Sequence, residues 1–326
     1  MMKKHSQWSI VIVFIVLVLA MGLAESLLRD HPVFFKPANL SNILLQTSIN
    51  TIIAVGMTLI IITAGIDLSV GSLLALCNVV MGLTMLHVGA ELASFQIILG
   101  CLMAIVAGST VGWFNGSVSH RWNIPPFIVT LGMLGVARGL ALWLIDSQTE
   151  NLIGQVPAGF FALGNQTLLG IPISAWIALI VVGAGHVILN YTPLGRYAIA
   201  IGANEQAAHL AGIRVGRIKV LIYTLGGLLV GVAAIIQTSR LGSANPTIGA
   251  GFELFAIAAV IIGGTSLMGG RGTIIGTLVG ALIIGVLNNG LTLLNIPDEI
   301  KQIVIGLVII LAVLIDRIRQ NAKGAS

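Results

Sequence analysis

Residues 190–220 read NYTPLGRYAIAIGANEQAAHLAGIRVGRIKV, with long apolar runs on both sides. Arg196, Arg214, Arg217 and Lys219 make this stretch basic, against the single acid Glu205. The chain around it is 57% hydrophobic and only 8% charged. Its mean hydropathy is +1.05. No soluble core hides that much apolar surface, whereas a bilayer acts as solvent for the outside of a protein. The positive island is therefore a segment that leaves the membrane, and its flanks are membrane spans. The 40 glycines fit the same reading, because small residues let membrane helices approach closely. The expected fold is an all-α polytopic membrane protein, a single transmembrane domain over residues 1–326.

A membrane helix needs about 20 mostly apolar residues. Ten candidates satisfy or approach this: Ser9–Leu28, Ile43–Thr63, Leu68–Leu86, Ser94–Val118, Pro126–Ile145, Ile173–Asn190, Ile218–Thr238, Glu253–Ser266, Thr273–Leu294 and Ile300–Ile315. The first is too long for a signal-peptide core and is read as a retained span. The eighth is short and is expected to be tilted or broken. Gly/Pro punctuation separates most of them, as in HPVFFKPANLSN and SANPTIGAGF.

Lys and Arg set the orientation, because they concentrate on the cytoplasmic side. With the N-terminus inside, eleven basic residues fall on inner segments and four on outer ones (Arg29, Lys36, Arg240 and Lys301). Arg138 lies within a span. This bias places both termini in the cytoplasm, which needs an even number of spans. The island around residues 191–217 is then cytoplasmic, between spans six and seven. The longest outer loop, residues 146–172, holds Asp146 and Glu150 and no basic residue. Its FFALGNQTLLG either lies along the membrane surface or caps the outer mouth.

Enzymatic machinery is missing from the sequence. No Gly-Lys dipeptide occurs, so no GxxxxGK[ST] phosphate cradle exists. There is no HExxH and no GxSxG elbow. The six histidines are widely spaced, and Cys77 and Cys101 sit in apolar runs without metal-ligand spacing. No cofactor is expected. The basic residues are scattered among loops, so nucleic acid is not an expected partner.

Within the island, Pro193 and Gly195 discourage continuation of the preceding helix. Asn204 suits an N-cap, Glu205 lies where the helix dipole favours an anion, and Gly212 suits a C-cap. The short word EQAAHLA needs a partner to pack against. Ala207, Ala208 and Ala211 lie on one side, small enough to let another protein come close. The alternative is a re-entry loop whose arginines only enforce topology.

TPLGRYAIAIGANEQAAHLAGI resembles the cytoplasmic coupling segment of membrane subunits of bacterial ABC sugar importers, particularly the ribose-type permeases. The larger family includes branched-chain amino acid permeases. Ala54–Leu76 and Arg240–Leu291 resemble the same family, and the likeness runs from about Phe35 to Ile315. It implies about ten spans, both termini inside (a type II ABC importer-like fold), and a cytoplasmic helix pair docked on an ABC ATPase. Arg196, Gly202, Asn204, Glu205, Ala207, Ala208 and Gly212 then belong to the coupling segment. The partners implied are ATPase subunits, a periplasmic or surface sugar-binding protein and a second permease, identical or homologous. The location implied is the bacterial inner membrane.

Other islands keep two readings each. Asp67, in TAGIDLSVG with Ser69, either serves a translocation path or acts as N-cap of the next helix, with Leu68, Ser69 and Val70 as the first turn. GGTSLMGGRGT, from Gly263 and Gly264 to Thr273, is either a gating element or a tight cytoplasmic turn. Asn288, Asn289, Gln237, Asn78, Asn115 and Arg138 either meet a sugar or bond neighbouring helices. Arg240 either pairs with a binding protein or anchors the interface. The spans show no concentrated polar cluster, which suits a conduit with no strong site of its own. The rival is a stand-alone secondary transporter or channel, which would require coupling carboxylates or a polar row deep in the bilayer.

Overall fold

A computed structural model describes residues 2–88 and 93–324. Helices form at all ten expected positions. First come α1 (Met2–Leu28), α2 (Pro37–Ile62), α3 (Val70–Val88), α4 (Ala93–Arg121) and α5 (Pro126–Leu144). An excursion follows, with β1 (Glu150–Asn151), α6 (Ala158–Asn165), β2 (Thr167–Leu168) and β3 (Ile171–Pro172). Then come α7 (Ile173–Tyr191), the short pair α8 (Pro193–Ala203) and α9 (Glu205–Leu210), and α10 (Val215–Leu241). The chain closes with β4 (Ser243–Ala244), α11 (Phe252–Ile262), α12 (Ile274–Leu293) and α13 (Asp298–Gly324). In lipid every backbone polar group must be satisfied internally, and helices do this within each segment. Eight of the described helices are long and apolar enough to cross a bilayer: α1 to α5, α7, α10 and α12.

Burial separates centre from periphery. The apolar window of α2 is 89% buried, that of α1 only 11% and that of α5 only 17%. So α2 is the central post. The outer helices turn residues such as Val16, Leu23, Ile98, Leu131, Ile180 and Leu307 outward, an apolar belt that fits a lipid surroundings. The tightest packing joins α4 to α10. Gly108 lies so close to the Gly227 carbonyl that a methyl group there would overlap it, and Gly112 meets the Tyr223 carbonyl in the same way. Small residues at four-residue spacing allow this approach.

The contacts obey the side assignment drawn from charge. The C-terminal end of α2, the end of α8 and the 263–273 turn, all assigned inside, meet one another: the Gly270 amide donates to the Ile62 carbonyl at 2.9 Å. The outer segments also meet. β1 pairs antiparallel with β4, Glu150 opposite Ala244. The loop is tied to the end of α10: Ser239 Oγ donates to the Phe160 carbonyl and accepts from the Gly164 amide, each at 2.8 Å.

The short eighth span has a structural answer. α11 has 11 residues, about 16 Å of helix and roughly half a hydrocarbon core. The segment before it, residues 243–251, is not helical: the two-residue strand β4 is followed by turns, packed along α3 and beside α5. Two side chains satisfy that irregular backbone. Asn78 Nδ2 donates to the Ser243 carbonyl at 3.0 Å, and Asn78 Oδ1 accepts from the Asn245 amide at 2.6 Å. Arg138 Nη1 donates to the Pro246 carbonyl, and to the Ile248 carbonyl at 2.9 Å. Glu253, in the first turn of α11, attracts the same guanidinium. Asn78 and Arg138 are thus backbone anchors, the second of the readings the sequence left open.

Candidate functional site

Four helices converge on one cavity of about 320 Å³ that gathers several polar side chains in a largely apolar wall. α2 contributes Gln46, Thr47, Ile49 and Asn50; α10 contributes Gln237 and Arg240; α11 contributes Phe252 and Phe255; α12 contributes Ile284, Gly285 and Asn288. Thr47 and Asn50 share a helix face because residues three apart are neighbours. Gly285 makes room for the Thr47 hydroxyl, which occupies the space a methyl group would need. Thr47, Asn50 and Gln237 are 3%, 8% and 7% exposed. Thr47 Oγ1, Asn50 Oδ1 and Gln237 Oε1 have no hydrogen-bond partner.

This corrects the expectation of no concentrated polar cluster. The polar residues are dispersed along the sequence but gathered by folding. Of the cavity residues, Gln237, Arg240 and Asn288 were legible as candidates; Gln46, Thr47 and Asn50 were missed. Their signal is a polar face at three- and four-residue spacing in an otherwise apolar run. Arg240 lines the cavity near the outer end of α10.

The other candidates lie elsewhere. Asn289 exchanges two amide hydrogen bonds with Asn39, at 3.1 and 3.0 Å, and ties α12 to α2. Asp67 is buried but lies away from the cavity lining. Its Oδ1 accepts from the Ser69 amide at 2.8 Å and the Ser69 hydroxyl at 2.6 Å. α3 begins only at Val70, and the Ser69 carbonyl accepts from Leu73. Ser69 therefore holds the cap position assigned to Asp67, and Asp67 fixes the turn that leads into it. Asn115 Nδ2 donates to the Ser69 hydroxyl at 3.1 Å.

The 263–273 segment is an ordered turn. The Ser266 amide donates to the Arg271 carbonyl and the Gly269 amide to the Ser266 carbonyl, each at 3.0 Å. Gly263 packs backbone-to-backbone on Gly276, and Gly264 has φ +86°. Gly270, with φ +73°, packs on Ala203. Gly202 lies against both the Ile62 carbonyl and the Gly270 amide, leaving no room for a methyl group. Three segments are thereby joined at one point: the α8 end, the α2 end and the turn that links α11 to α12.

The helix pair beside this joint forms as its residues dictate. Thr192 caps α8, with Pro193 in its first turn. Asn204 Oδ1 accepts from the Ala207 amide at 2.9 Å, the expected N-cap. Glu205 pairs with Lys219 on α10 at 2.7 Å. Gly212 takes φ +83° just past the helix end. The three alanines do not share one fate. Ala208 is buried with Ile201 and Val215, while Ala207 and Ala211 stay exposed. The outward apolar residue is Leu210, 81% exposed. Ala208 thus anchors α9 to its own chain. Arg196 also lies exposed on α8.

Comparison with known proteins agrees with this architecture. The chain is 46% identical over 292 residues to the ribose import permease protein of Escherichia coli K12, covering 89% of this chain and 88% of that one. It is 48% identical over 287 residues to the ribose import permease protein of Bacillus subtilis, covering 88% and 87%. It is 34% identical over 305 residues to the D-allose transport system permease protein of Escherichia coli K12, covering 94% and 90%. No solved structure gives a significant match. Residues 39–313, nearly the whole helical bundle with its cavity and joint, match one family, and the chain belongs to it: the permease component of the branched-chain amino acid transport system family.

Proposed function

We propose that this chain is the membrane subunit of an ATP-driven monosaccharide importer, with D-ribose as the first substrate to test. It is a transport component and not an enzyme, a multi-pass protein of the bacterial inner membrane. ATP is hydrolysed on separate cytoplasmic subunits, and an extracytoplasmic binding protein delivers the sugar. A second copy of the chain completes the path. Both termini face the cytoplasm, and α8 with α9 forms the docking element.

The observation that carries the reading is the joint at Gly202. The helix pair touches the ends of the same elements whose other ends wall the cavity. α2 runs from Thr47 and Asn50 down to Ile62. α11 and α12 run from Phe252, Phe255 and Asn288 down to the turn at Gly270. A displacement of α8 and α9 therefore reaches two cavity walls through backbone contacts. A motor that holds the pair differently in its ATP-bound and ATP-free states shifts the population between two cavity arrangements. The buried acids favour no ion-coupled carrier, since Glu25 accepts from the Val33 and Phe34 amides and Asp67 from Ser69.

Reconstitution in liposomes tests the reading. Import is expected to need ATP, the ATPase and the loaded binding protein together. Accumulation by the purified chain alone on an ion gradient would overturn it. A second expectation concerns Glu205, whose pair with Lys219 is half exposed. Such a pair contributes only about 0.2–1 kcal/mol, so Glu205→Lys leaves folding intact. It reverses a charge on the docking surface, and binding of the ATPase in pull-down is expected to weaken severalfold. Unchanged binding and unchanged uptake would remove α9 from the docking surface.

A further inference from the structure

We infer that the cavity under Gln46 is a selective way-station for a neutral polyol, so that the permease reads its substrate as well as conducting it. This rests on the importer reading and adds to it a site within the membrane subunit. Among the described residues, seven buried side-chain polar atoms lack a partner, and three of them line this single cavity. An unpaired buried acceptor costs about 1–3 kcal/mol. Three in one place are tolerated when a mobile guest satisfies them.

The chemistry of the lining selects the guest. Asn50 Oδ1, Gln237 Oε1 and the Thr47 hydroxyl accept hydrogen bonds, so they suit a ligand rich in O–H donors. Phe252 and Phe255, with ring centroids 6.0 Å apart, offer faces for its C–H groups. No acid lines the cavity, and its one charge is Arg240. A zwitterionic amino acid would leave its ammonium group without a counter-charge; a sugar brings no charge that needs one. The volume, about 320 Å³, lies at the small end of the roughly 300–1,000 Å³ range for small-molecule sites. It has room for a monosaccharide and its water.

The complete importer, with ATPase and binding protein, is reconstituted with Thr47→Val or Gln237→Met. Each variant removes an unpaired polar atom at nearly constant volume. A merely structural role would lower the melting temperature of the purified permease. The way-station instead predicts an equal or higher melting temperature, with D-ribose import lowered about tenfold, the scale of one lost hydrogen bond in the path. Import at the wild-type rate would overturn it. If the wild-type importer moves no monosaccharide, the importer reading fails first, and the two failures stay distinct. A second measurement needs no turnover. Asn50→Cys, in a background with Cys77→Ala and Cys101→Ala, is treated with a water-soluble thiol reagent. D-ribose is expected to slow labelling and L-leucine is not. No labelling, or labelling insensitive to D-ribose, would sink the proposal, as would protection by L-leucine alone.

Discussion

Gly202→Val is expected to disconnect ATP hydrolysis from import. The Gly202 Cα faces the Ile62 carbonyl and the Gly270 amide, which bond to each other at 2.9 Å. Both obstacles are backbone, so neither can rotate away from an added side chain. α8 must therefore lift from the joint, at an overpacking cost of about 1–3 kcal/mol. The exposed surface of α8 and α9 is not altered, so the ATPase still docks and still turns over. What is lost is the contact that carries its movement to α2 and to the α11–α12 turn. The number of sugars imported per ATP hydrolysed, measured in proteoliposomes, is expected to fall about 10- to 100-fold. Gly183→Ala, where nothing lies within 4 Å of the added methyl group, serves as the control and is expected to behave as wild type. A Gly202→Val importer with the wild-type ratio would remove the joint from the coupling route.

The spans were legible because each membrane helix is encoded locally, by a run of apolar residues and by charge at its ends. Asn204, Glu205 and Gly212 were legible for the same reason, since caps are local chemistry. The cavity was not, because it is a relation among α2, α10, α11 and α12 that no single run contains. Gln46, Thr47 and Asn50 look like ordinary polar interruptions until Gln237 and Asn288 stand opposite them. Ala208 shows the same limit. Its side of α9 is readable, but whether that side meets a partner or Ile201 and Val215 depends on where α8 and α10 lie. Asp67 was misplaced by two residues of helix start, because the turn before α3 uses Ser69 for the cap and the carboxylate to shape it.

Arg138 carries the other large expectation. A charged residue within a span is by default a functional suspect, and a sugar path would readily employ a guanidinium. Its actual partners are the Pro246 and Ile248 carbonyls, in the non-helical stretch that leads into α11. Arg138→Met strips two part-buried carbonyls of their donor and removes a positive charge that acts on Glu253. Leaving part-buried acceptors without their charged donor costs about 1–3 kcal/mol. The non-helical segment then loses its hold, and with it the start of α11, where Phe252 and Phe255 wall the cavity. The detergent-purified variant is expected to melt well below wild type and to be cut by protease within residues 243–251. Arg138→Lys should recover only part of the loss, because an ammonium lacks the planar fork of the guanidinium. Asn78→Leu releases the same segment from its other end. Combined with Arg138→Met it should cost less than the two single changes added together, since a segment already freed has little left to lose. Strict additivity would mean that the two anchors hold independent structures. A wild-type melting point for Arg138→Met, with import lost, would instead return this arginine to the path.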